Sequence, residues 1–250
     1  MQAVSRSLRS LWIIYKQELN LYFLSPLVYL VGAVWLFLSG GFFSLLLVGI
    51  NQGFSPPDVG PMLSTMYFLM IFVAPALTMR VISEEIRTGT HELLFTAPVR
   101  DWEIVVAKWL AVWTVFTVYV AIMIIYPFIL KTHGTIEMGT VYTGYLGLWL
   151  LGGATLALGV FASSLSQYQL VAFLITMGAL IFLWLTNSVN QLVNNTAIAS
   201  VMSEISITSH FNSLISRALI DPLDLAYFIG MIVIFLFLAT QALNTRRWSA

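Results

Sequence analysis

The 250-residue chain contains no cysteine, which excludes both a disulfide framework and thiolate chemistry. Charge is nearly as scarce. Asp, Glu, Lys and Arg make up 9% of the residues, against about 25% in ordinary soluble domains. Net charge is zero and the isoelectric point is near 6.8, so no basic field points to nucleic acid. There is no GxxxxGK[ST], and none of Lys16, Lys108 and Lys131 follows a glycine, so the chain is not expected to be its own P-loop ATPase. There is no HExxH, and His91, His133 and His210 are far apart in loops. No resident metal, cofactor or catalytic residue is expected. The first apolar run, 11–14, is too short to read as a cleavable leader.

What remains is apolar: 59% of residues are hydrophobic and mean hydropathy is +0.90. Too little polar surface is left to cover a water-soluble globule, so lipid must face most of the outside. About 20 apolar residues cross a bilayer as a helix. Six stretches qualify: 27–50, 61–79, 109–130, 141–162, 170–186 and 225–243. None contains Asp, Glu, Lys, Arg or His. Ion-coupled carriers and intramembrane enzymes need such groups at depth, so both classes are disfavoured. The fold class expected is an all-α membrane protein with six transmembrane helices, read as one domain over 1–250. Even span number puts both termini on one side, with Arg6, Arg9, Lys16, Arg80, Arg87, Arg100, Lys108, Arg246 and Arg247. Only Lys131 and Arg217 lie opposite, so the termini are expected in the cytoplasm.

Three further patterns stand out. Before the first span, Leu8, Leu11, Trp12, Tyr15, Leu19, Tyr22 and Phe23 share a helical face, the pattern of an interfacial helix over 4–25. Ser25-Pro26 ends it. The segment 189–224 is long and moderately apolar, and is read as two short helices dipping into the outer leaflet. Met62, Met66 and Met70 form a stripe read as packing rather than copper binding. Gly153 and Ala157, with Gly144, Gly147, Gly152 and Gly159 nearby, allow close helix approach. Whether the partner helix is in the same chain or another subunit is open at this point.

The charge that exists is clustered in EEIRTGTHELLFTAPVRDWE, residues 84–103. Residues 83–87 extend the second span, Gly89 lets the backbone turn, and Thr90 is an N-cap for a short helix. Glu92 stands in its first turn, Leu93, Leu94 and Phe95 make an apolar side, and Pro98 ends it. A short helix with apolar residues exposed beside charge reads as a docking surface; a solvated loop on lipid headgroups is the alternative.

These residues also carry a resemblance. EEIRTGTHELLFTAPV resembles the E…GTxELLxTxPV signature of ABC type-2 permeases, and ASSLSQYQLVAF (162–173) resembles the junction of their fourth and fifth spans. HFNSLISRALIDPLDLAYF (210–228) and the terminal TRRW resemble the gliding-motility-associated branch. The resemblance implies a bacterial inner-membrane permease with an elbow helix, re-entrant helices before the last span and a coupling helix in loop 83–103. It further implies docking on a separate ABC ATPase that carries ATP and magnesium, and pairing with a second permease. By position, Gly89, Thr90, Glu92, Leu93 and Pro98 fall on the coupling motif, flanked by Glu84, Glu85 and Arg87, with Phe95 on its apolar side. The function expected is an ATP-driven exporter subunit; the alternative is a non-transporting anchor that recruits an ATPase to an envelope or motility machine.

Overall fold

The computed structural model describes residues 2–54, 56–89, 99–192, 202, 204–217 and 221–249, and every regular element among them is helical. The helices are α1 (Gln2–Leu24), α2 (Pro26–Asn51), α3 (Gly60–Thr78), α4 (Ser83–Thr88) and α5 (Asp101–Met123). There follow α6 (Ile125–Leu130), α7 (Met138–Leu165), α8 (Gln169–Leu192), α9 (Ile207–Arg217) and α10 (Pro222–Ser249). Among the described residues, six helical segments are long and apolar enough to cross a membrane: α2, α3 with α4, α5 with α6, α7, α8 and α10.

Local chemistry sets the boundaries. α1 stops where Ser25 turns extended (φ −82°, ψ 125°), and Pro26 opens α2 as its first residue. Proline excludes the helical conformation from the residue before it, yet suits the first helical position because no N–H is needed there. Asp221 caps α10, its carboxylate accepting the Leu223 N–H at 3.0 Å. The third span, read as continuous over 109–130, is two helices joined at Ile124. Pro127 explains the break: it cannot donate to the Met123 carbonyl one turn back. That carbonyl accepts instead from the Tyr145 hydroxyl of α7, at 2.7 Å.

The centre of the bundle is α7, the most enclosed of the spanning helices, which packs against α3, α5, α8, α9 and α10. Lipid tails are as apolar as leucine, so contact here depends on shape more than on water release. The glycines provide that shape. A Cβ on Gly159 would lie 2.1 Å from Thr78 of α3, and one on Gly152 would lie 2.0 Å from Phe116 of α5. The close approach left open by the sequence is therefore made within the chain. Beside it, Trp109, Trp113 and Trp149 stack with ring centroids 4.6 and 4.2 Å apart. Each indole N–H donates, to the Gly153 carbonyl, the Trp149 carbonyl and the Thr117 hydroxyl respectively. Met62, Met66 and Met70 are buried in the same core, as the packing reading expects.

One element differs in detail from the sequence reading, and another is described only in part. The apolar face of α1 is split: Tyr15 hydrogen-bonds Thr114 of α5 at 3.0 Å, whereas Leu8, Trp12 and Phe23 remain exposed. Of the two short helices expected in 189–224, α9 is described, with Ile207, Phe211 and Leu214 buried against its neighbours. Residues 193–201, where the other would fall, are outside the described residues.

Candidate functional site

The charged loop begins on α4, and the structure shows what holds that short helix. Its two acidic residues, Glu84 and Glu85, stand in the first turn and Arg87 in the last, the arrangement the helix dipole favours. Its opening donors are satisfied from α7: Ser163 Oγ accepts the Ile82 and Ser83 N–H groups at 3.1 and 3.0 Å, and donates to the Met79 carbonyl. Gly89 closes it with φ 75°, the left-handed region in which a side chain costs roughly 1 kcal/mol or more.

The acidic residues are engaged within the chain. Glu84 accepts from Arg87 at 3.1 Å and from the Gln169 side-chain amide at 2.8 Å, while Arg80 Nε donates to the other end of that amide at 3.1 Å. Glu85 meets Lys108, whose ammonium is 2% exposed and donates to Glu85 at 2.7 Å and to Glu18 of α1 at 2.6 Å. Lys108 thus ties three elements together: α1, α4 and the start of α5. Next to it the Tyr22 hydroxyl donates to the Leu77 carbonyl at 3.0 Å. Burial, then the Glu18 and Glu85 carboxylates, hold that phenol well above its ordinary range, so it stays a donor.

The sequence reading began the third span at 109, leaving Lys108 just outside it. It lies inside α5, seven residues past the helix start at Asp101, and is almost completely buried. A buried ammonium is stable only with close counter-charges, and it has two. Glu18, Tyr22, Lys108, Ser163 and Gln169 were not read as site residues. One signal was available: Ser163 and Gln169 fall inside the 162–173 stretch already singled out for its resemblance. The structure brings that stretch onto α4. Of the residues expected to dock, Glu84, Glu85, Arg87 and Gly89 are at this junction; Thr90, Glu92, Leu93, Phe95 and Pro98 lie outside the described residues.

A second polar cluster sits at the opposite end, between α9 and α10. His210 Nδ1 is 2.7 Å from Asp224 Oδ1, its ring stacks on Tyr227 at 4.0 Å, and Ser213 also hydrogen-bonds Asp224. A hydrolytic triad needs the histidine between serine and acid. Here the acid is in the middle, so the cluster reads as a pin joining two helices. Among the described residues no group of acids and histidines is arranged to hold a metal.

Neither cluster has the arrangement of a hydrolytic or metal centre; the one at α4 fastens the start of the charged loop to a six-span bundle. The model of the family described as ABC-2 family transporter protein matches residues 36–248. The chain belongs to the ABC-2 transporter family. It is a multi-pass membrane permease subunit of an ABC transporter, a transport component rather than a catalyst. Family membership implies association with an ABC ATPase and with membrane lipid. No curated protein matches the chain. Within the permease, the α4 junction joins the start of the charged loop to α1, α5, α7 and α8.

Proposed function

We propose that this permease is the membrane subunit of an ATP-driven exporter, receiving its power stroke through loop 83–103. In this reading a short helix after Gly89 docks on a separate nucleotide-binding subunit, which carries ATP and magnesium. Glu92 makes charge-assisted contacts there, and Leu93 and Phe95 fill an apolar cleft. The termini and the loop face the cytoplasm of a bacterial inner membrane, α1 is the interfacial elbow, and α9 is part of a re-entrant segment. A second permease copy or homologue completes the pathway. The resemblance of the tail segments 210–228 and 245–248 to the gliding-motility-associated branch supports assigning the permease to that branch.

The observation that carries this reading is the anchoring of α4. A loop that only covered headgroups would need no buried ammonium at its base, no serine cap from α7 and no amide clamp from α8. Attachment at three points makes displacement of the loop a displacement of α1, α5, α7 and α8. Because Glu84 and Glu85 are structural in this sense, the decisive test lies beyond Gly89. Glu92→Lys combined with Leu93→Ala and Phe95→Ala is expected to leave the permease folded but to release the co-purifying ATPase. Hydrolysis coupled to transport in proteoliposomes should fall with it. Retention of the ATPase with unchanged coupled hydrolysis would sink the docking assignment. Stimulation of hydrolysis only by an added envelope protein, with no transport, would favour an anchor instead.

A further inference from the structure

Beside the Lys108 junction a cavity of about 290 Å³ opens between α1, the start of α2, the end of α3 and α4. That is near the lower edge of small-molecule sites, roomy enough for a polar headgroup but not for acyl chains. Its lining is partly charged, with Glu18, Glu84, Glu85, Arg80 and Lys108, and partly apolar, with Leu21, Leu27, Ala76 and Leu77. The level is that of a bilayer headgroup region, because the spanning helices begin and end here: α2 starts at Pro26 and α3 ends at Thr78.

The charges leave specific vacancies for hydrogen bonding. Arg80 is 51% exposed at its side chain and uses Nε for Gln169; its two terminal nitrogens make no hydrogen bond among the described residues. Those nitrogens form the planar fork that suits a phosphate. Lys108 spends two of its three donors on Glu18 and Glu85. Glu18 takes Lys108 on Oε1, and Oε2 has no partner among the described residues. With Arg87, which pairs with Glu84, the charges about the cavity balance, and Glu18 Oε2 is the acceptor left open. A purely anionic ligand leaves that acceptor unanswered, whereas one that brings its own ammonium donates to it.

We propose that this cavity binds the headgroup of a zwitterionic phospholipid bearing a primary ammonium, that is, phosphatidylethanolamine. Its phosphate sits on Arg80 and its ammonium donates to Glu18, while the acyl chains run over Leu21, which is exposed at the mouth, and Leu24 one turn on. Phosphatidylglycerol has the phosphate but no cation to answer the Glu18 carboxylate. Phosphatidylcholine has a cation that cannot donate a hydrogen bond. A bound headgroup of this kind would fasten α1 to α3 at the point where α4 is anchored.

Native mass spectrometry of the purified permease tests this without the ATPase, so its failure is separable from failure of the docking assignment. The delipidated protein is offered equimolar phosphatidylethanolamine, phosphatidylglycerol and phosphatidylcholine with identical chains. Retention of the ethanolamine lipid about tenfold above the others is expected, and should collapse in Arg80→Gln. Ala76→Phe, which fills the cavity from its apolar lining, should reduce retention while leaving Arg80 intact. Equal retention of the three lipids by the wild-type protein, or undiminished selectivity in a folded Arg80→Gln protein, overturns the proposal. Water-soluble glycerophosphoethanolamine provides a further arm. If it displaces the lipid at comparable concentration, the site serves a soluble phosphate ester and the lipid assignment fails.

Discussion

At the scale of single residues, Lys108 carries the most consequence per atom. Its ammonium is buried between two carboxylates that retain some contact with water. Removing the cation leaves those carboxylates facing each other, and the penalty of breaking a buried pair exceeds the net worth of the pair itself. Lys108→Met should therefore destabilise the protein by about 3 kcal/mol, read as a lower unfolding midpoint by tryptophan fluorescence in detergent. Adding Glu18→Gln and Glu85→Gln to it should recover much of the loss, because no uncompensated charge then remains. If the single variant unfolds at the wild-type temperature, the junction is not a structural clamp. Tyr145 shows the same logic with a neutral group: one hydroxyl supplies the donor that Pro127 withholds from Met123.

At the scale of elements, α7 is defined by what its glycines leave out. Gly144, Gly152 and Gly159 each face a side chain of a neighbouring helix at less than the distance a Cβ needs. Substitution there should force α3 or α5 away, and overpacking of this sort costs roughly 1–3 kcal/mol. Gly159→Leu is expected to lower the unfolding midpoint clearly. Gly178→Ala on α8 and Gly230→Ala on α10, where nothing lies within 4 Å of the added carbon, should be neutral or raise it slightly. Equal effects at all three positions would show that helix propensity, not interhelical contact, governs these sites. The glycine and methionine patterns were both visible in the sequence. Which helix each faced was not, since small-residue spacing is the same for a contact within the chain and one between subunits.

At the scale of the whole molecule, the chain divides its charge unevenly between the two ends of the bundle, and its lack of cysteine makes that division measurable. Lys131→Cys, at the end of α6, and Arg87→Cys, at the end of α4, would each introduce a lone thiol. A membrane-impermeant thiol reagent is expected to label the Lys131 position in intact cells and the Arg87 position only after the membrane is opened. The reverse pattern would invert the proposed orientation and remove the loop from reach of any cytoplasmic ATPase. The exposed stripe of α2, with Leu30, Val34, Phe37, Leu45 and Val48, faces lipid or the second permease that the transporter reading requires.

The amino-acid sequence by itself determined the membrane class, the number of spans and most of their limits. Hydropathy, proline and glycine act through the nearest few residues, and continuous apolar runs of about 20 residues satisfy their backbone in a bilayer as helices. Ser25-Pro26 and Gly89 were legible for that reason. The break at Ile124 was not, because a proline inside a span bends, breaks or is tolerated according to whether a neighbour satisfies the freed carbonyl. Only the tertiary structure decided the candidate site. Glu18 and Glu85 meet Lys108 across 90 and 23 residues of sequence. No local pattern records such a meeting, because pairing of buried charges depends on which helices are brought side by side. The same packing turned Glu84 and Glu85 from free ends of a charged loop into the fastening that joins it to the bundle.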